Sequence, residues 1–195
     1  MNAILVFWIV FLCLLALFVY LDIKCELLRD QSAVNKKNRT RSFARTQLAW
    51  WSLIILSSII SIMICHNAIP QLTYSTLVLL GISAATTASA RITDISDIKQ
   101  DDITYRHQDN KSKGILVDLI TNQNGASIHR LQALIFNLAF GIWMIVNVVN
   151  NLNNGVACSN IIPDFGNNEL ILFGISSGTY AVLKVPENKV AQGKT

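Results

Sequence analysis

Charged side chains are scarce in this sequence and unevenly spread. They make up 14% of its 195 residues, where soluble domains carry about 25%. Asp, Glu, Lys and Arg are missing altogether from five stretches: Ala3–Leu21, Gln47–Cys65, Leu72–Ala90, Leu131–Asn150 and Leu170–Leu183. With 52% hydrophobic residues and a mean hydropathy of +0.42, too few polar groups remain to cover a soluble core built from these stretches. Each of the first four is long enough, at about 1.5 Å per helical residue, to cross a hydrocarbon layer of about 30 Å. The fifth reaches that length only with Asn168, Glu169 and Lys184 at its edges. These features predict an all-α integral membrane protein with five transmembrane helices.

Further absences narrow the reading. No basic residue precedes the first stretch and no small-residue cleavage site follows it, so it reads as a retained helix rather than a secretory leader. The residues before Cys25 do not form a lipobox. Lys and Arg are missing from the connections His66–Gln71 and Asn151–Glu169. All 16 basic residues fall in Asp22–Thr46 (seven), Arg91–Arg130 (six) and the tail from Lys184 (three). Five spans put these three segments on one face. Basic loops stay cytoplasmic, so the N-terminus is expected outside and the C-terminus inside. The net charge of +4 then reflects topology and contact with anionic headgroups, not nucleic acid.

Catalytic patterns are lacking too. No Asp, Glu, Lys or Arg falls in mid-span, which argues against proton-coupled carriers. No intramembrane Ser is paired with His or Lys, and neither a zinc-protease helix nor a phosphate loop is present. Neither enzyme activity nor a cofactor is expected. Asp94, Asp97, Asp101, Asp102, Asp109 and Asp118 cluster in the 92–126 connection without the ligand spacing of a calcium loop, so that connection reads as a solvated linker. Within it Ile115, Leu116, Leu119 and Ile120 share one face of a helix over 114–122, placed at the interface or over the inner end of the bundle. Cys65 and Cys158 both fall on the expected outer side, where a disulfide is sterically open. His66 beside Cys65 is too little for a metal site. His107 and His129 read as surface or anchoring residues, and Asn137 as a side chain that satisfies a neighbouring helix.

What is present is a repeat. "LVLLGISAATTASARITD" (77–94) matches "LILFGISSGTYAVLKVPE" (170–187) at seven of 18 positions, with Arg91 aligned on Lys184 and Asp94 on Glu187. Upstream, "SFARTQ" (42–47) matches "SIHRLQ" (127–132), aligning Arg45 with Arg130 and Gln47 with Gln132. Two spans separate equivalent points, so the hairpins 42–94 and 127–187 read as parallel repeats about an axis near the membrane normal. Residues 1–41 hold the extra helix and a basic segment, 95–126 the polar connection and 188–195 the tail. In lipid, helices associate through close backbone approach and hydrogen bonds. Gly81 with Ala85, and Gly174 with Gly178, form small-residue faces, and Ser83, Thr86, Ser176 and Thr179 add hydroxyls. Two uses are open: helix packing, or a polar path. Arg45, Gln47, Arg91, Asp94, Arg130, Gln132, Lys184 and Glu187 mark the cytoplasmic interface, where Arg45 and Arg130 are placed to pair with Asp94 or Glu187.

In these residues the chain resembles a group of uncharacterised bacterial inner-membrane proteins. They share an R-x-Q-x-A-x-W helix start (Arg45, Gln47, Ala49, Trp51), text like "GASIHRLQ" (125–132), and a "GISSGTY" helix closing on Lys184, Pro186 and Glu187. The departures are Ala126, Ala84 and Ala85. The resemblance implies like topology in a bacterial inner membrane and carries no assigned activity. The leading expectation is a homo-oligomeric pore or channel-like protein, with stress or defence as one setting. The rival is a membrane anchor whose basic segment Lys24–Arg45 docks a cytoplasmic protein.

Overall fold

The uncharged stretches fold as long helices. The computed structural model describes residues 2–30, 32, 39–98, 109–122 and 125–187. Helices α1 (Ala3–Cys25), α2 (Phe43–His66), α3 (Tyr74–Ile98) and, after a short α4 (Ile115–Ile120), α5 (Ile128–Asn153) supply four segments long and apolar enough to cross a membrane. The last, α6 (Asn167–Glu187), has 21 residues. Its polar ends, Asn167–Glu169 and Lys184–Glu187, leave it short of the apolar length of the other four. Lys36, Lys37, Lys99, Asp101, Asp102, Arg106, His107, Lys189 and Lys194 lie outside the described residues.

Local chemistry sets the helix ends. The Asn2 side chain accepts from the Ile4 amide at 3.1 Å and starts α1. Glu26 (φ 57°) and Asn67 (φ 49°) end α1 and α2 in the left-handed region, each turning its amide back onto a last-turn carbonyl. Three buried hydroxyls of the long helices bond within their own helix. Ser57, Ser58 and Thr86 each donate to the carbonyl four residues earlier at 2.7–2.8 Å.

The helices form a ring in the order α2, α3, α6, α5, with α1 laid over α2 and α5. Side-chain contacts fix directions. Phe43, Gln47 and Trp51 of α2 meet Tyr180, Ser177 and Phe173 of α6 in descending order, so these two helices are antiparallel. α3 and α6 run the same way. Ser75 Oγ accepts from the Phe165 amide just before α6 begins, and Asp94 meets Lys184 at the other end. The helices that the sequence pairs as equivalents, α2 with α5 and α3 with α6, therefore stand beside one another in the ring.

Aromatic rings fill the middle. The indole of Trp51, fully buried, is met edge-on by Phe165 and Phe173 at centroid distances of 5.9 and 5.3 Å, and Phe140 leans on Phe173 at 5.1 Å. Met144, Val148, Ile54 and Leu79 complete this cluster. At the end opposite Lys184, Ile161, Ile162 and Phe165 plug the bundle, while Asn151 donates to the Ile161 carbonyl at 3.1 Å. Cys65 and Cys158 are both free thiols.

The end holding Lys184, here called the charged end, is closed by two returning segments. Residues 28–30 pair with 40–42, through Asp30 N to Thr40 O at 3.0 Å and Ser42 N to Leu28 O at 2.7 Å. Beyond α4, β1 (Thr121–Asn122) and β2 (Gly125–Ala126) form a minimal hairpin. Leu119 inserts among Phe43, Ala44, Ala133 and Tyr180, so the helix expected over 114–122, observed as α4, covers the bundle, while Ile115 and Leu116 stay exposed. The solvated linker expected for 92–126 is corrected accordingly. α3 continues to Ile98, and Asp94, Asp97 and Asp118 are buried. Asp118 is held there because its carboxylate accepts from Ser112 Oγ (2.6 Å), the Lys113 amide (2.9 Å) and the Arg41 amide (3.1 Å).

Candidate functional site

The densest chemistry lies where the ends of α2, α3, α5 and α6 meet the returning 28–42 segment. α6 carries Lys184 one turn after Tyr180, so both face inward. The Lys184 ammonium sits 2.9 and 3.1 Å from the two oxygens of Asp94 and 3.6 Å from Asp30. The side chains of Lys184, Asp94 and Asp30 are 5%, 3% and 12% exposed. Two carboxylates thus converge on one buried cation, which offsets the desolvation of each and holds them together against their mutual repulsion. Burial works against the charged form of Asp30, but the Lys184 ammonium, a hydrogen bond from Ser42, and the fields of Arg45 and Arg130 outweigh it. Its carboxyl is held below the ordinary value.

Neighbouring groups tie this cluster to the rest of the bundle. Arg130 donates to the Thr121 carbonyl at 2.9 Å and lies over the Tyr180 ring, 5.2 Å from its centroid. Arg41 reaches Asp22 at 3.4 Å, and the Leu28 amide donates to the same carboxylate at 3.0 Å. Two turns further into the bundle, Gln47 donates to Ser177 Oγ at 3.0 Å. Beyond it, Trp51 Nε1 donates to Asn137 Oδ1 at 2.7 Å. Asn137 closes its own valence on the Ala133 carbonyl at 2.7 Å, and Trp50 Nε1 bonds the Asn137 carbonyl at 2.9 Å.

The residues singled out in the repeats are distributed by face. Of the expected interface set, Asp94, Lys184, Arg130 and Gln47 are buried, Arg45 is half-buried, and Arg91 and Gln132 are exposed. Glu187 closes α6, and its side chain is outside the described set. Both Asp94 oxygens are engaged by Lys184, so the carboxylate expected to meet Arg45 or Arg130 is taken by a residue of the other hairpin. Of the packing set, Ser83 and Thr86 are buried, Gly174 and Ser176 half-buried, and Gly81, Ala85, Gly178 and Thr179 exposed. A Cβ at Gly81, Gly174 or Gly178 would meet nothing within 4 Å. The close approach that these glycines permit is therefore not used among the described residues.

Equivalent positions also differ in burial. Lys184 is buried where Arg91 is exposed, and Ser177 is buried where Ala84 is exposed. One helix of each matched pair is turned relative to its counterpart, because neighbours in the ring look at its centre from different sides. Asp30, Asp22 and Ser177 are members of this network that the sequence pattern did not single out, and Asp118 is one that it read as part of a solvated linker. Asp22 and Asp30 are acids set within a basic segment, a weak signal, and nothing local distinguishes Ser177 from Ser176. No group of three metal-ligating side chains occurs among the described residues. In comparisons with family patterns, with characterised proteins and with solved structures, no match to this chain was found. The chain is thus defined by its architecture: a helical bundle, with four helices fit to cross a membrane, closed at one end by a buried ionic network.

Proposed function

We propose that this chain is a homo-oligomeric, pore- or channel-like protein of a bacterial inner membrane. In this reading α6 is the fifth span and the charged end is cytoplasmic. The observation that carries it is the contrast between the inside and the outside of the bundle. The inside is filled by Trp51, Phe140, Phe165 and Phe173, which leaves no conduit through one chain. The outer surfaces of α1 and α5 present large apolar residues such as Trp8, Leu12, Ile135 and Ile142, suited to lipid. The outer surface of α3 and α6 also exposes large apolar residues such as Leu77, Ile175 and Val182, but sets among them Gly81, Ala84, Ala85, Ala88, Gly178 and Thr179. Small and hydroxyl residues facing outward suit close contact with a second copy, with any path running between copies.

The basic distribution supports the orientation. The anchor alternative has less to draw on, because Arg39 and Arg41 of the basic segment are occupied by Glu26 at 3.2 Å and Asp22 at 3.4 Å. The test is reconstitution of the purified oligomer in liposomes, with ion and dye flux recorded under voltage and tension. Wild-type protein is expected to conduct. The Gly81→Leu/Gly178→Leu variant is expected to fold, run as a monomer and fail to conduct. A wild-type protein that is monomeric in nanodiscs, or oligomeric but silent under every stimulus, overturns the reading.

A further inference from the structure

A second feature of the charged end lies outside the ionic network. An open groove of about 430 Å³ runs between α1, α2 and α3. Arg45 and Arg91 line it, Phe18, Leu28 and Leu48 supply apolar walls, and Ser52 lines it deeper along α2. Arg45 lies near the start of α2 and Arg91 in the last two turns of α3, so both guanidinium groups belong to the same end of the bundle. From Arg45 to Ser52 is about 10 Å along the helix. The groove therefore has a cationic mouth and an apolar floor directed toward the middle of the bundle.

The arginines of the network are otherwise engaged: Arg39 with Glu26, Arg41 with Asp22, Arg130 with the Thr121 carbonyl. Arg45 and Arg91 make no hydrogen bond or ion pair among the described residues. The field of Arg45 reaches Asp30, but Asp30 already has Lys184 as its ion-pair partner. Two guanidinium groups with donors to spare, above an apolar channel, match one ligand chemistry: a phosphodiester with a hydrocarbon tail. The planar fork of arginine suits phosphate oxygens in particular.

We propose that this groove holds one anionic phospholipid, its phosphodiester between Arg45 and Arg91 and an acyl chain lying toward Ser52 against Phe18 and Leu48. The site rests on the membrane reading above, with the charged end at headgroup level, and is independent of pore formation. Each arginine near the phosphate contributes a factor of about five, and the pair about 25-fold.

The full-length protein is equilibrated in mixed micelles holding equal phosphatidylglycerol and phosphatidylcholine, washed, and its retained lipid counted by native mass spectrometry. Wild type is expected to keep one phosphatidylglycerol per chain. Arg45→Gln/Arg91→Gln is expected to lower that retention about 25-fold, with helicity and elution volume unchanged. Lys24→Gln/Lys113→Gln removes two exposed cations of the same end that do not line the groove, and is expected to retain lipid as wild type does. Should the double arginine variant misfold, the exposed Arg91→Gln alone decides, with an expected loss of about fivefold. Equal retention of the two lipids, an equal loss in the lysine control, or displacement of the lipid by excess inorganic phosphate overturns the proposal. A chain that stays soluble without detergent overturns the membrane reading itself, whereas a detergent-dependent chain with no lipid preference overturns only this site.

Discussion

Replacing Lys184 by Met removes one positive charge while keeping most of the side chain's length. In the native bundle that charge faces Asp94 at 2.9 Å and Asp30 at 3.6 Å, with the side chains of Lys184 and Asp94 only 5% and 3% exposed. Without it, two carboxylates remain in a closed site with no cation between them. Removing one partner of a buried pair costs about 3–5 kcal/mol, against about 0.2–1 kcal/mol for an exposed pair. In a chain of this size that is a fall of roughly 6–20 °C in melting temperature. The assay is thermal unfolding in lipid-free detergent micelles, followed by loss of the folded peak on size exclusion. Arg91→Met is the matched control, since the sequence aligns Arg91 with Lys184 but the structure leaves it exposed. It is expected to stay within about 0.5 kcal/mol of wild type. Adding Asp94→Leu to Lys184→Met is expected to recover part of the loss, with a coupling of about 1–3 kcal/mol in the double-mutant cycle. A Lys184→Met protein that melts no lower than Arg91→Met would refute the reasoning.

Four other outcomes follow from particular positions. Gly141→Ala places a Cβ 2.6 Å from Cε2 of the Trp50 indole, so it is expected to cost about 1–3 kcal/mol and to shift tryptophan fluorescence. Gly81→Ala and Gly174→Ala meet nothing and are expected to leave the melting temperature of a single chain unchanged or raised. Asn137→Leu strands the buried Trp51 Nε1, now bonded at 2.7 Å, and is expected to cost about 1–3 kcal/mol, read by chemical unfolding. Asp30 governs part of the acid response. Its folded pKa lies below the unfolded value, so its contribution is complete above about pH 5 and is lost as pH falls through the carboxylate range. Asp30→Asn is expected to be less stable at pH 7 and to show a shallower decline between pH 7 and about pH 3, followed by circular dichroism.

Much of the fold was legible in the sequence because composition fixes it. A helix is the spanning structure that satisfies its backbone within one segment, so uncharged runs of this length are committed to helix before any partner is known. That reasoning locates α1, α2, α3 and α5, and it places a helix at α6. It also identifies Asp94 and Lys184 as helix-end charges worth watching. Which charges meet was not legible. The alignment sets Lys184 beside Arg91 and Ser176 beside Ser83, yet Lys184 and Ser177 turn inward on α6, while Ser83 and Asp94 do so on α3. A helix carries a new side chain every 100° or so, and the face that is buried depends on where its neighbours stand. Two similar helices placed side by side must face a shared centre differently.

The same distinction holds for the polar cap and the glycines. Asp22, Asp30 and Asp118 look like ordinary loop acids in the sequence. They are buried or nearly so because residues 28–30 return against 40–42 and because α4 folds over the bundle, bringing Asp118 onto the Arg41 amide 77 positions away. Gly81 and Gly178 announce close contact by composition alone, but the ring order turns them outward, where an added Cβ meets no described residue within 4 Å. The sequence by itself determined what could be buried in lipid and where positive charge could collect, since those depend on the transfer of single residues. Only the tertiary structure decided which helix faces meet, because packing is a property of pairs of surfaces and each pair is made from residues that no local window contains.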